Sequence, residues 1–315
     1  MLVSVLIVNF RTGEMTSECV ASFKRALGGC DHEIIVVDNH SEDDSVEILR
    51  GDHPDVTVVQ AGANLGYGAA VNLGAGVAAG KYLIASNSDI LAGPGLAEGL
   101  VRCYEANRAG ILGIKLVKPD GSVQPSFGYF PTPLGVVLSE MGPLKYVMRR
   151  HLNACAAIDK ADPGTRRVDW VTGAFMFLSA DNFRKIGGFD EAFFMYYEDV
   201  DFCRRALGLG LATFYVAEYA AVHRHCATSA ALPKGAHNVH KVEERRSALL
   251  YLKKHHSRQV AKAAIGLEAV FRWTLAGLNA KYYSLGFSAS RRERNRYKVN
   301  TYRKLVETAR SMRRG

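Results

Sequence analysis

Residues 2–8 (LVSVLIV), 33–38 (EIIVVD), 56–60 (VTVVQ) and 82–86 (YLIAS) are short apolar runs separated by helical stretches at 14–27, 41–50 and 67–79. Continuous Val, Ile and Leu suit strands covered on both faces, because a half-exposed strand would alternate with polar residues. Strands that alternate with helices return parallel, by right-handed crossovers. The order therefore predicts an α/β fold with a mostly parallel central sheet and helices on both faces. Ser41 and the acids after it predict a helix start at 41. Strand character returns at 111–117, 168–178, 212–216 and 220–223. Helices are expected at 134–150, at 181–186 and from the acids near 198 to about 207. From about 237 the pattern is helical. The expected division is 1–236, with halves 1–120 and 121–236, followed by a basic helical extension over 237–315.

In an open parallel sheet, ligands sit beyond the carboxyl ends of the strands. All four of those ends are polar here. Asn9 follows the first strand, and Asp38-Asn39-His40-Ser41 the second. Asn64-Leu65-Gly66-Tyr67-Gly68 follows the third, and Asn87-Ser88-Asp89 the fourth. Any one of these is ordinary turn chemistry. Four along one sheet edge mark a ligand cleft. An ionised carboxylate only accepts hydrogen bonds, so Asp38 suits the imide N–H of a uracil or thymine ring. Asp89 suffices as a protein ligand for Mg²⁺ or Mn²⁺ when a diphosphate supplies further oxygens, with His223 or His225 as a second ligand.

The remaining composition excludes more than it selects. Cys19, Cys30, Cys103, Cys155, Cys203 and Cys226 form no CxxC pair, so neither a zinc site nor a disulfide framework is expected. The stretch NLGYGAAVNLGAG lacks G-x-G-x-x-G and does not follow the first strand, which argues against a dinucleotide site, and no P-loop is present. The N-terminus lacks the basic start of a secretory signal, so a cytoplasmic location is expected. The net charge of +9 is uneven: residues 241–315 hold 19 Lys and Arg against 5 Asp and Glu. No nucleic-acid motif accompanies them. The readings left are a solvated or packed face and an anionic membrane surface, which would place the protein peripherally on the inner face of the cell membrane.

The densest chemistry lies at AFFMYYEDVDFCRR, residues 192–205, where Glu198, Asp199 and Asp201 follow aromatics. Acids favour the first turn of any helix. Clustered carboxylates beside aromatics also shift one another's pKa values, which suits a general base. Three functional classes fit these features: a sugar transferase, a nucleotidyltransferase and a non-catalytic nucleotide-binding scaffold.

The joint order VDNHSEDDS, NLGYGAAVN, NSD, VTGAFMFL, GGFDEAFFMYYEDVDFCRR and AVHRHCATS resembles the family 2 glycosyltransferases of GT-A fold, most closely their rhamnosyltransferase-like branch. The resemblance covers about residues 2–230. It implies an inverting transferase that uses a nucleotide-diphosphate sugar, with dTDP-rhamnose as the first guess, and a divalent cation. The acceptor it implies is a glycan or lipid-linked glycan hydroxyl. It makes Asp38 the base-reading acid, with Asn9 and Asn39 beside it. Asn64, Gly66, Gly68 and Asn72 would line the nucleotide, with Asn87 and Ser88 nearby. Asp89 and His223 would hold the metal. Asp199 would be the general base, oriented by Glu198. Trp170, Thr172, Gly173 and Asp201 would approach the sugar or acceptor. The sequence departs from the family in carrying Asn87 at the first acid of the DxD-type motif. It also carries Cys226 and Thr228 where Gly and Ser are usual.

Overall fold

The computed structural model describes residues 2–138, 165–224 and 237–283, and beyond these 300, 301, 303–308, 311 and 312. The chain divides into two compact units, Met1–Phe130 with Ala154–Ala231, and Pro131–Asn153 with Leu232–Gly315.

In the first unit, β1 (Leu2–Asn9), β2 (Asp31–Asp38), β3 (Thr57–Gln60) and β4 (Tyr82–Asn87) are parallel, in the order β3-β2-β1-β4. β1, β4 and the second half of β2 are largely buried, as continuous apolar runs require, while β3 at the sheet edge is half-buried to exposed. The register pairs Asn9 with Asp38, Asp38 with Gln60, and Val8 with Asn87. The polar strand ends thus form one row.

The sheet continues through β11 (Phe175–Ser179), β6 (Ile111–Val117), β12 (Thr213–His223) and β5 (Ile90–Ala92). β11 is antiparallel to both neighbours, and β12 is parallel to β6. β7 (Val123–Gln124) adds to β6 and β9 (Arg166–Val168) to β12, while β8 (Phe127–Gly128) and β10 (Trp170–Val171) form a separate pair. The helices of this unit are α1 (Gly13–Ala26), α2 (Ser45–Asp52), α3 (Tyr67–Val77), α4 (Leu96–Ala106), α6 (Ala180–Ile186) and α7 (Glu198–Gly208). α3 lies close to the sheet because it is made of small residues. A Cβ on Gly74 would stand 3.0 Å from the Val37 side chain.

Three sequence expectations change. The helix expected from Ser41 starts at Ser45, because Ser41 is turned inward. Its hydroxyl meets the Asp38 carboxylate instead of capping a helix. The strand expected over 168–178 is three pieces, interrupted at Thr172–Ala174, where the turn carries site contacts. The two strands expected at 212–216 and 220–223 are one, with a register shift between Val216 and Ala220. α4, which the period reading leaves unassigned, buries Leu96, Ala97, Leu100, Val101 and Tyr104.

The second unit contains α5 (Pro133–Leu138), α8 (His237–His255) and α9 (Arg258–Tyr283), with α9 packed on both α5 and α8. The rest of the helix expected over 134–150 lies outside the described residues. So do Cys155, His225, Cys226 and Thr228, and most of 291–314.

Candidate active site

At the β1–β2 end, Asn9 and Asp38 form one buried network. Asn9 Nδ2 donates to Asp38 Oδ1 at 2.7 Å and to Ser41 Oγ at 3.0 Å, and its Oδ1 accepts from Thr12 and Thr16. The Ser41 N–H donates to Asp38 Oδ2 at 3.2 Å. Asp38 is 4 % exposed, so these donors hold its carboxylate in place. Thr12 Oγ1 also lies within hydrogen-bond distance of Ser88 Oγ, at 3.0 Å, which ties the β1 end to the turn after β4.

Asn39 and Asn64 latch the loop before α3. Asn39 Oδ1 accepts the Leu65 N–H at 2.9 Å, and its Nδ2 donates to Asn64 Oδ1 at 3.1 Å. Gly66 and Gly68 face protein. A Cβ on Gly66, at φ +83°, would fall 2.1 Å from the Phe194 carbonyl oxygen. One on Gly68 would fall 2.8 Å from Phe189 Cβ. Asn72 clasps the same segment, accepting the Phe189 N–H at 2.8 Å and donating to the Phe189 carbonyl at 2.9 Å. These three residues of α3 and its approach therefore hold the chain that leads into α7.

Asp89 and His223 meet because β5 pairs antiparallel with β12, setting His223 opposite Ile90. His223 Nε2 is 3.1 Å from Asp89 Oδ1, and both side chains are more than nine-tenths buried. His223 Nδ1 lies 3.0 Å from Gln124 Oε1. A proton on Nδ1 bound to that oxygen leaves the Nε2 lone pair aimed at a carboxylate oxygen. Two acceptors face each other stably only with a proton or a cation between them. An imidazole oriented from behind in this way is the usual arrangement of a metal-ligating histidine. The pair therefore fits a divalent cation completed by substrate oxygens.

α7 begins after Tyr196 and Tyr197, at φ +66° and +65°. Successive left-handed aromatics cost about 1–3 kcal/mol each, so surrounding structure must impose them. Asp201, fully buried, accepts from Arg205 Nε at 2.8 Å, and the same guanidinium donates to the Ile186 and Gly188 carbonyls at 2.6 and 2.7 Å. Asp201 thus anchors the start of α7. Asp199 points elsewhere. Its Oδ2 accepts the Gly173 N–H at 3.0 Å and its Oδ1 the Val200 N–H at 2.8 Å. The Thr172–Ala174 turn in turn accepts the Asn87 N–H through the Ala174 carbonyl at 3.1 Å. Trp170 is further out, with its Nε1–H on the Tyr129 carbonyl at 2.9 Å. Thr172 is held by the Ser126 carbonyl at 2.9 Å.

The sequence reading gives Tyr67 no role. Its hydroxyl donates to the Gly173 carbonyl, and burial followed by the carboxylates of Glu198, Asp199 and Asp89 pushes its pKa well above the usual value. Tyr67 thus stands where the fields of all three acids meet. The available signal was a large aromatic held between two glycines of the β3–α3 loop.

Burial raises the Asp199 pKa, opposed by the Gly173 and Val200 N–H groups. Burial, then the Asp199 charge, pushes Glu198 well above its ordinary 4.5. Glu198 Oε2 is buried and finds no hydrogen-bond partner among the described residues. A carboxyl with a raised folded pKa binds its proton more tightly folded than unfolded. Its stabilising contribution is complete below pH 4.5 and is lost as pH rises through the folded value. Glu198→Gln is therefore expected to raise Tm at neutral pH and to flatten the decline of Tm above pH 4.5. A Tm unchanged across that range would place Glu198 in water in the folded state.

The sequence model of the family described as "Glycosyl transferase family 2" matches residues 4–163. The N-acetylglucosaminyl-diphospho-decaprenol L-rhamnosyltransferase of Mycobacterium tuberculosis is 31% identical over 287 residues, covering 87% of this chain and 88% of the relative. The low-salt glycan biosynthesis hexosyltransferase Agl10 of Haloferax volcanii is 26% identical over 208 residues, 64% of this chain and 61% of that one. Among solved structures, GalNAc-T7 with UDP, GalNAc and Mn²⁺ aligns at TM-score 0.57 and 14% identity, over 98% of this chain and 56% of the other. The mannosyltransferase PcManGT of Pyrobaculum calidifontis, with GDP-Man and Mn²⁺, aligns at 0.51 and 14% identity, over 99% and 86%. These two likenesses speak for the fold alone, and it is the GT-A fold. This chain belongs to the family 2 glycosyltransferases, in their rhamnosyltransferase-like branch, and transfers a sugar from a nucleotide-sugar donor.

Proposed function

We propose that this enzyme moves rhamnose from dTDP-rhamnose, with inversion, onto a hydroxyl of a lipid-linked glycan diphosphate at the cytoplasmic face of an anionic membrane. The observation that carries the reading is the 31% identity, over 87% of the chain, to a rhamnosyltransferase whose name specifies such an acceptor. No helix among the described residues is long and apolar enough to cross a membrane, so contact with one would be peripheral.

The Asn9–Asp38–Ser41 network holds the Asp38 carboxylate rigid. Oδ2, with one N–H already on it, retains acceptor capacity for a pyrimidine imide. Asn39, Asn64, Asn87 and Ser88 border the same strand ends. Asp89 and His223 would hold magnesium or manganese, which when bound supplies positive charge beside the departing diphosphate. Gly173 and Val200 hold Asp199 by both carboxylate oxygens. From there Asp199 takes the proton of the acceptor hydroxyl as that hydroxyl attacks the anomeric carbon from the face opposite the nucleotide. Its raised pKa makes it a stronger base than an exposed aspartate. Burial and the neighbouring Asp199 charge hold the Glu198 carboxyl well above its usual range.

Calorimetry with dTDP-rhamnose, UDP-hexoses and GDP-hexoses tests this, with and without Mg²⁺ or Mn²⁺, on wild type and Asp89→Ala. Cation-dependent binding of dTDP-rhamnose is expected, weakened at least about tenfold in Asp89→Ala. Preferred binding of a uridine or guanosine donor would overturn the donor assignment. Cation-independent binding would overturn the roles of Asp89 and His223.

A further inference from the structure

α9 is built inside out. Its packed side carries Glu268 at 1 % and Arg272 at 4 % exposure, while Leu267, Val270 and Trp273 stand 54, 61 and 64 % exposed. Glu268 faces two guanidinium groups, hydrogen-bonding Arg272 and pairing with Arg245 by charge alone. Arg272 Nε lies 2.9 Å away on the same helix, and Arg245 Nη2 of α8 lies 2.5 Å away. Arg245 Nη1 also donates to the Val136 carbonyl of α5 at 2.9 Å. This buried ionic cluster ties α5, α8 and α9 together, and so fixes which side of α9 faces outward. Ala261, Ala264 and Ile265 complete the packed side.

At 3.6 residues per turn, Val260, Leu267, Val270 and Trp273 fall on one outward face roughly 140° wide. A helix bathed in water on that face would carry its charges there and its large apolar groups inside. The reversed arrangement suits a helix whose outer face meets an apolar phase. α9 does not cross a bilayer. A helix with such a face can lie in the plane of the interface, with its apolar side chains in the acyl boundary and Trp at the headgroup level.

Charge selects the occupant. The surrounding segment, residues 241–315, holds 19 Lys and Arg against 5 Asp and Glu, and Lys253, Lys254, Arg258, Arg303 and Lys304 are exposed. Such a surface is attracted to anionic phospholipid. A second copy of the chain would instead set two strongly basic segments against each other.

We propose that the Val260–Leu267–Val270–Trp273 face of α9 docks the second unit onto an anionic lipid bilayer. This deepens the reading that the acceptor is lipid-borne, on which it rests for its purpose. Vesicle binding is measured without turnover, so the two can fail separately. The test is flotation of the full chain with phosphatidylglycerol-containing vesicles and with phosphatidylcholine vesicles. Wild type is compared with Leu267→Gln/Val270→Gln/Trp273→Gln, and Tm and dTDP-rhamnose affinity are measured on both. All three side chains are more than half exposed, so the variant is expected to melt with wild type and to bind donor equally. Wild type is expected to float with the anionic vesicles only. The variant should lose at least about tenfold of that partition, since each apolar side chain leaving water contributes roughly that factor. Equal flotation of the two proteins, or none by wild type, would overturn the proposal. So would a wild-type dimer, seen by light scattering, that the variant abolishes, because the face would then belong to a second copy. Loss of donor binding with vesicle binding intact would remove the rhamnosyl reading and leave this one standing.

Discussion

Asp199→Asn is expected to lower kcat by roughly 10³- to 10⁴-fold, the upper range for removing a positioned general base. The donor dissociation constant, read by calorimetry, is expected to stay nearly the same. The reason is geometric. The Asn amide has the shape of the carboxylate, and its oxygen can still accept one of the two backbone N–H groups now on Asp199, those of Gly173 and Val200. The Thr172–Ala174 turn and the start of α7 therefore keep their places while the base is lost. Burial also sets the pH dependence. Because Asp199 titrates above the usual aspartate range, wild-type kcat should fall as pH drops through that raised value. Equal losses of kcat and donor affinity in the variant would make Asp199 a structural residue and return the base role to Glu198.

Asp201→Asn is expected to act on stability. Asp201 is fully buried, and its partner Arg205 is about one-fifth exposed. Removing one member of a buried pair leaves a buried charge uncompensated, at about 3–5 kcal/mol, and the partial exposure of Arg205 argues for the low end. In a unit of about 200 residues, about 3 kcal/mol lowers Tm by about 6–12 °C. The folded fraction should keep its donor affinity, measured well below the melting temperature. A variant that melts with wild type yet loses acceptor turnover would put Asp201 at the acceptor.

Asp199 and Asp201 show where residue patterns stop. Both belong to the acid-rich start of one helix, and no local pattern says which faces ligand. Two residues apart on a helix, they point to different sides. One meets Gly173 and the other Arg205. Gly66, Gly68 and Asn72 make the same point. A Gly-rich loop after a strand leaves open whether ligand or backbone comes close; here Gly66 and Gly68 leave room for Phe194 and Phe189, and Asn72 binds the Phe189 backbone. The meeting of Asn9 with Asp38 was legible because strand ends in a parallel sheet share one edge, whereas Asp89 meets His223 through the antiparallel pairing of β5 with β12. The Gln124 contact behind His223 was not legible, since it depends on the pairing of β7 with β6.

The amino-acid order by itself determined the parallel α/β core, the row of polar strand ends and the family. Each of these follows from local period or from motifs read along the chain. Only the tertiary structure decided the partner of each buried charge, the break at Thr172–Ala174 and the outward face of α9. Those depend on which distant backbone and side-chain groups arrive at the same place. A buried carboxylate or guanidinium is stable only where such partners meet it.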